Sequence, residues 1–147
     1  MRVATLEDAE YLSKRLRQCD VDEVKASHNL TPYVALKLGI QNSNLPLAVI
    51  LDEKPVAIFG VVPTEYFGSI WLLGSDELKD VSLSFLRQCK GVVHLFNKQF
   101  PLLANCCSAN NELHIKWLRW CGFKFIKLHE EYGYEKKPFY EFVRLNV

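Results

Sequence analysis

The sequence lacks most of the features that would assign it to a class of protein at once. It has no apolar run approaching the roughly 20 residues that a membrane span needs. Its formal net charge is only +1, whereas a nucleic-acid-binding domain usually carries a clear basic excess. Acidic residues begin at Glu7, which does not fit a secretory signal peptide. We therefore expect no membrane segment and no nucleic-acid partner.

Common catalytic and metal-binding motifs are absent as well. The chain contains no Walker A loop, no HExxH and no GxSxG. Its five cysteines include no CxxC pair, and the adjacent Cys106 and Cys107 would point to opposite faces of a strand. Free buried thiols are therefore favoured over disulfides or a metal site, and we expect no metal.

The composition does supply enough material for a hydrophobic core. Apolar residues make up 49% of the 147 positions and aromatic residues 12%. A chain of this length suits one core, so we expect a single domain over residues 1–147. Charged residues, at 24%, are nearly balanced in sign.

The stretch Asn110–Phe125 carries the clearest local pattern. Asn111 is a good helix N-cap, and Gly122 can take the left-handed conformation that ends a helix. Apolar side chains between them share one helix face, namely Leu113, Trp117, Trp120 and Cys121. Phe123 and Phe125 then alternate with a lysine, as in a strand with one buried face.

Patterns along the rest of the chain predict a layered α/β (α+β) domain. We expect a strand at Arg2–Leu6, a helix over Leu6–Cys19, a second helix that breaks near Asn29, and a new helix start at Thr31-Pro32. Further expected elements are strands 47–51, 56–62 and 69–73, a long helix 77–100, strands 102–107 and 123–128, an acidic turn 129–131, and a strand 139–145. Hairpins followed by β–α–β–α–β imply a mixed sheet flanked by helices.

This order of elements resembles that of the GNAT acyltransferases. The residues that match the family's Asn-to-Gly-Phe helix segment are Asn111, Leu113, Ile115, Leu118 and Gly122-Phe123. The resemblance implies a GNAT-like mixed central sheet of about six to seven strands with about four helices.

A closer resemblance is to the GNAT-like internal virion or assembly protein of T7-type short-tailed bacteriophages. The matching pieces, in order, are Glu23-Val24-Lys25-Ala26, Pro46-Leu47-Ala48, Ser75-Asp76, His114-Ile115 with Leu118, and His129-Glu130-Glu131-Tyr132. This resemblance implies other phage virion or assembly proteins as partners, and a location in the host-cell cytoplasm or the virion interior. Tyr132, Tyr134 and Tyr140, beside Lys136-Lys137, would suit a protein-binding patch.

The resemblance also shows what an active acetyltransferase would require. GNAT enzymes bind the acyl-CoA pyrophosphate with a glycine-rich loop between the fourth strand and the long helix, where backbone N–H groups approach the phosphates. Here no glycine follows Gly74 in that loop, and Asp76, Glu77 and Asp80 bring negative charge. We expect no cofactor; if acetyl-CoA does bind, its candidate contacts are Leu72, Leu73, Gly74, Ser75, Lys79 and Asn111.

The catalytic groups of the family are equally hard to find. The tyrosine that often serves as the general acid is replaced by Leu118. His28 and Glu65 are the candidates for a general base, although ordinary loop roles are the alternative for both. Glu53 is a further strand-end acid, and His94 and His114 are expected to be solvated or core histidines.

Three hypotheses follow from the sequence. The first is a non-catalytic GNAT-fold assembly factor of a bacteriophage that acts by protein–protein contact. The alternative is an active acetyl-CoA-dependent N-acyltransferase with an unusual cofactor site. The third is an α/β domain of another family, in which every feature above serves packing.

Overall fold

The fold is described from a computed structural model that covers residues 1–81 and 83–146. Its strands are β1 (Arg2–Val3), β2 (Leu47–Leu51), β3 (Lys54–Pro63), β4 (Gly68–Gly74), β5 (Leu102–Ser108), β6 (Lys124–Tyr132) and β7 (Lys137–Leu145). Its helices are α1 (Leu6–Ser13), α2 (Gln18–His28), α3 (Pro32–Asn42), a 3-10 helix (Asp76–Asp80), α4 (Leu83–Gln99) and α5 (Glu112–Trp120). Among these described helices, none is long and apolar enough to cross a membrane.

The seven strands form one mixed sheet in the order β1-β2-β3-β4-β5-β7-β6. Neighbouring strands are antiparallel except β4 and β5, which run parallel. The β4–β5 pairing covers only Gly68 with Leu103 and Ser69 with Ala104. Beyond this short ladder the two strands separate, so the sheet has a gap at their carboxyl ends.

Helices cover both faces of the sheet and bury two apolar clusters. On one face, α1 and α3 pack on β2–β4, and this cluster includes Leu12, Leu36, Ala48, Ile58 and Leu73. On the other face, α4 and α5 pack on the sheet through a larger cluster that includes Phe59, Val93, Phe96, Trp117, Leu118 and Phe142. The alternation of strand side chains explains the division, since Leu72 and Leu73 belong to different clusters.

Side chains cap several helix ends, and the predictions at Thr31-Pro32, Asn111 and Gly122 are confirmed. Thr5 and Asp8 form a capping box at the start of α1. Thr31 caps α3, which carries Pro32 at its first position. Asn111 caps α5 by accepting from the His114 backbone N–H, and Gly122 follows that helix with a φ of +88°.

Several predicted boundaries are wrong for identifiable reasons. The first strand ends at Val3 instead of Leu6, because Thr5 is the N-cap of α1. The first helix ends at Ser13 instead of Cys19, because the Arg17 backbone N–H bonds to the Gly74 carbonyl of the sheet. The predicted helix 77–100 is divided: the 3-10 helix holds buried Leu78 in the core, Val81 is extended, and Ser82 lies outside the described residues. The predicted acidic turn 129–131 belongs to β6.

The turn after β6 lies four residues later than predicted. His129 still pairs with Phe139 across the ladder, so the strand continues to Tyr132. The chain reverses at residues 133–136, where Gly133 and Lys136 take positive φ angles of 73° and 52°. The glycine that permits this reversal was the local signal for its position.

Candidate functional site

The gap between β4 and β5 is the feature on which any GNAT-type chemistry would depend. Alternation along β4 points the backbone groups of Ile70, Leu72 and Gly74 towards this gap. Asn105 of β5 closes its narrow end by donating from Nδ2 to the Ile70 carbonyl at 2.8 Å. The gap is therefore open only beyond Ile70, towards Gly74.

The chain's own residues occupy the open end of this gap. The Gly74 N–H donates to Asp20 Oδ2 at 2.9 Å, and the Gly74 carbonyl accepts from the Arg17 backbone N–H at 2.9 Å. Leu16 forms an isolated antiparallel bridge with Ser75. The connection between α1 and α2 thus lies along the end of β4, in the position that an added strand would take.

A buried polar cluster, here called the gap cluster, holds this connection in place. Its members are Arg17, Asp20, Glu23, Asn111 and His114, all at least nine-tenths buried. Asn111 Nδ2 donates to Asp20 Oδ1 at 2.8 Å and to Glu23 Oε2 at 2.6 Å. Arg17 Nη2 donates to Asp20 Oδ1 at 2.8 Å. These bonds tie the first turns of α2 to the start of α5 across the gap.

The electrostatics of the gap cluster follow from burial and from its internal pairs. Burial opposes a charge on His114, but the Glu23 carboxylate 3.4 Å from Nδ1 and the Asp20 carboxylate together outweigh it and raise the pKa of the imidazole. Burial raises the pKa of Asp20, and the Arg17 charge opposes that rise. When His114 is protonated, two cations face two carboxylates, which suits a site closed to water.

The turn after β4 is built as a helix start and not as a phosphate cradle. The Ser75 N–H already donates to the Val56 carbonyl at 2.8 Å, and Ser75 is 5% exposed. The 3-10 helix that follows exposes Asp76, Glu77 and Asp80 together with Lys79. Three carboxylates around one lysine repel a phosphate, because their charges have the same sign.

Two cavities flank the gap on opposite faces of the sheet. The larger, about 290 Å³, lies beside α2 and α3. Its lining is mostly apolar, and its other lining residues include Glu23, His28, Asn105, Cys106, His114 and Tyr132. The second, about 180 Å³, is apolar, lies between α4 and α5, and is lined by residues that include Leu72, Leu78, Phe85, Trp117 and Trp120. Leu72 lines both cavities, so both reach the gap.

The structure does not bring the two predicted catalytic residues together. His28 is exposed at the end of α2, lines the larger cavity, and has Nδ1 2.9 Å from Ser27 Oγ. Glu65 is exposed in the turn before β4. Because β4 spans roughly 20 Å at about 3.3 Å per residue, Glu65 lies at the opposite end of the strand from the gap opening.

The predicted cofactor contacts divide between the gap and its surroundings. Leu72 and Gly74 face the gap, but Gly74 has both backbone groups bonded to the α1–α2 connection. Leu73 faces the core of the α1–α3 side, and Lys79 is exposed on the 3-10 helix. Asn111 is 1% exposed and bonded within the gap cluster.

Sequence reasoning missed the gap cluster, although one signal for it existed. Arg17, Asp20 and Glu23 recur every three residues, which places them along one side of a helix. A charged helix face normally points to solvent, so the pattern alone predicts exposure. The burial follows from packing against Asn111 and His114, which lie about 90 residues away in sequence.

Comparisons with known proteins establish the fold. No protein-family model matches the chain, and no curated protein sequence matches it. A ribosomal-protein-alanine N-acetyltransferase from Brucella melitensis is similar in structure, with a TM-score of 0.71 at 14% identity over 99% of this chain and 98% of that one. A GNAT-family acetyltransferase from Bacillus anthracis gives 0.66 at 13% identity over 98% and 92%. The aminoglycoside acetyltransferase AAC(6')-Ib, solved with coenzyme A, gives 0.65 at 15% identity over 99% and 93%.

The predicted fold class is therefore confirmed: the chain has a GNAT-like fold with a mixed seven-stranded sheet. The described residues include five α-helices, one more than the resemblance implied. At these identities the likeness concerns architecture alone. The three neighbours named above are acetyltransferases.

The residues present at the gap do not fit acyl-CoA. The Gly74 backbone groups that would bond an inserted chain are bonded to Arg17 and Asp20, and the adjacent turn is acidic. Leu118, at the position of the family's acid, is fully buried and carries no proton to donate. The architecture thus matches the enzymes, whereas the side chains at the gap do not.

Proposed function

We propose that this chain is a GNAT-fold protein without acyl-CoA chemistry that acts by protein–protein contact in the assembly of a bacteriophage particle. The observation that carries the proposal is the occupied edge of β4, where the Gly74 N–H and carbonyl are bonded to the α1–α2 connection. Its partners are other phage virion or assembly proteins. It acts in the host-cell cytoplasm or the virion interior, and needs neither nucleic acid nor membrane.

The phage setting is supported by the sequence resemblance, whose most specific piece is His129-Glu130-Glu131-Tyr132. In the structure this piece forms the end of β6, an edge strand of the sheet. Ile126 and Leu128 of the same strand are 56% and 43% exposed. An edge strand with exposed apolar side chains is suited to contact with another protein.

A second candidate function is acetyl-CoA-dependent N-acylation. It is favoured by the separation of β4 from β5 beyond Ser69, by the 290 Å³ cavity beside the gap, and by the acetyltransferase neighbours. For this function the α1–α2 connection has to leave the end of β4 before a cofactor enters. The bonds that Asp20 accepts from Gly74 and Asn111 would then break, which leaves Arg17 as its remaining donor and makes the displacement unfavourable.

Calorimetric titration with acetyl-CoA distinguishes the two functions. We expect no heat of binding at millimolar acetyl-CoA, with AAC(6')-Ib titrated in parallel as the positive control. Micromolar binding that weakens in Lys79→Glu would reject the non-catalytic proposal, because that lysine is the cation of the acidic turn.

The assembly role is tested separately in phage-infected cells. We expect the tagged chain to co-purify with internal or tail proteins of the phage that encodes it, and a deletion phage to yield defective particles. A GNAT protein of similar size, expressed with the same tag, controls for non-specific capture. Normal particles from the deletion phage together with no recovered partner would reject the role.

A further inference from the structure

Three adjacent strands bring a thiol, an imidazole and a carboxylate to one point on the sheet. Cys106 of β5 pairs directly with Glu141 of β7. His129 of β6 pairs with Phe139, two residues before Glu141, so all three side chains share one face. Their donor atoms lie within 4.8 Å of one another, and His129 Nε2 is 2.7 Å from Glu141 Oε1. Each residue is half-buried.

We propose that Cys106, His129 and Glu141 bind a zinc ion. Sulfur, imidazole nitrogen and carboxylate oxygen are the ligands that Zn²⁺ uses in proteins, at about 2.3, 2.0 and 2.1 Å. Tetrahedral bonds of these lengths place ligand atoms roughly 3.5 Å apart, so small side-chain rotations convert the observed arrangement into a coordination shell. Three protein ligands leave the fourth position for water.

The surroundings of the cluster are those of a supported metal site. Tyr132 faces Cys106 and opposes the rise that burial causes in the pKa of that thiol, and the Tyr132 ring packs on Phe139 with centroids 4.8 Å apart. An irregularity in β6 between His129 and Tyr132 allows both side chains to reach the same face. A hydrogen bond to a ligating group orients it, and such outer partners affect metal affinity.

The position of the cluster gives the metal access from solution. Cys106 and Tyr132 also line the larger cavity, so a metal held here lies at its edge. Glu141 and His129 keep 35% and 30% of their side chains exposed. The site is separate from the Gly74 end of the gap, so this inference does not depend on the proposed function.

The ordinary alternative is a His129–Glu141 ion pair beside an unrelated thiol. That pair by itself explains the 2.7 Å contact. It does not require a cysteine at the residue paired with Glu141, whereas zinc coordination does. The test must therefore depend on the sulfur.

Metal titration of the chelator-treated full chain, first with Co²⁺ and then with Zn²⁺, tests the proposal. We expect one ion per chain, a cobalt–thiolate charge-transfer band, and loss of that band when Zn²⁺ is added. Cys106→Ser should abolish the band and His129→Ala should weaken zinc binding roughly 100-fold or more. Tyr132→Phe, as an outer partner, should weaken it about 10-fold. Cys19→Ser, at an exposed thiol, is the matched control and should bind as the unmodified chain does.

A second measurement needs no variant and is insensitive to misfolding. Zn²⁺ should slow alkylation of Cys106 by iodoacetamide while Cys19 reacts at an unchanged rate, as read by peptide mass spectrometry. Equal zinc affinity in Cys106→Ser, loss of binding in Cys19→Ser, or unchanged alkylation of Cys106 would each overturn the proposal.

Discussion

Asn111 shows how one side chain serves both local and distant structure. Its Oδ1 caps α5 at the His114 N–H, a role that its position before an apolar helix predicts. Its Nδ2 donates to Asp20 and Glu23 at 2.8 and 2.6 Å. The sequence gives no sign of the second role, because both acceptors belong to α2.

Removal of the Asn111 amide should therefore lower the free energy of unfolding by more than the loss of a helix cap alone does. We expect Asn111→Ala to lower the free energy of unfolding by about 2–4 kcal/mol, since it removes one donor from each of two buried carboxylates as well as the helix cap. Denaturant unfolding measures the change. Asn110→Ala, at an exposed neighbour without this role, should change it by less than about 0.5 kcal/mol. A loss from Asn111→Ala of only that size would contradict the role of the gap cluster.

The capping box of α1 predicts a dependence of stability on pH. Burial works to raise the pKa of Asp8, but bonds from Arg2 and from Thr5 outweigh it and lower the pKa. A lowered folded-state pKa adds stability above the unfolded value, about 3.9, and this stability is lost as pH falls through the folded value.

Asp8→Asn should accordingly lose about 1 kcal/mol at pH 7. The difference from the unmodified chain should shrink as pH falls below the unfolded value of about 3.9, and disappear below the lowered folded-state pKa, where the native carboxyl is protonated. Thermal unfolding across this pH range measures the difference. For Glu7→Gln, at an exposed site of the same turn, the difference in stability from the unmodified chain should not change in this way. A stability difference for Asp8→Asn that stays constant across the pH range would contradict the role of Asp8.

At the scale of elements, prediction succeeded where the sequence signal is local. Thr31 before Pro32, Asn111 before the α5 stripe and the apolar run of β2 each define an element within a few residues. The division of the predicted helix 77–100 depends on Leu78, which the core holds in a 3-10 turn. Such a division is decided by tertiary packing, which a helical sequence pattern does not contain.

The β6–β7 turn offers a pair of matched glycine substitutions. A Cβ at Gly133 would lie 2.7 Å from the Ser27 Cα and carbonyl, in a residue whose φ is +73°. We expect Gly133→Ala to destabilise the protein by about 2 kcal/mol or more, because both the clash and the left-handed backbone are unfavourable.

Gly91 is the control for that substitution. It lies in α4, and a Cβ there would meet nothing within 4 Å. Gly91→Ala should raise the free energy of unfolding by about 0.5–1 kcal/mol. Chemical denaturation of both variants gives the comparison, and equal effects would contradict the close packing of the turn on α2.

At the scale of the whole molecule, the sequence predicts the architecture better than the site. The order of strands and helices follows from periodicity, and the comparisons confirm the resulting fold. The gap cluster joins α2 to α5, and the zinc-ligand set joins β5, β6 and β7. Neither set shares a sequence motif, because each is assembled only when distant segments meet.

The reactivity of the five free thiols measures how well the folded core excludes solvent and reagents. Burial raises the pKa of Cys89 to about 11 and of Cys121 to about 12, and raises that of Cys107 as well. Since the thiolate is the reactive form, these three should not react with a disulfide reagent in the native protein. We expect Cys19 to react fast and Cys106 slowly, with all five reacting after unfolding. Fast reaction of Cys89, Cys107 or Cys121 in the native protein would show that the core opens.

The α1–α2 connection also limits the access of other molecules to the edge of β4. It is tethered to the edge it occupies, so it competes at the high effective concentration of an intramolecular partner. A strand, peptide or extended ligand must displace it before pairing with Gly74. The apparent affinity for such a ligand is lowered by the fraction of molecules in which the edge is free. A partner protein that holds the connection away from β4 would raise that fraction, and would make the gap available only within the complex.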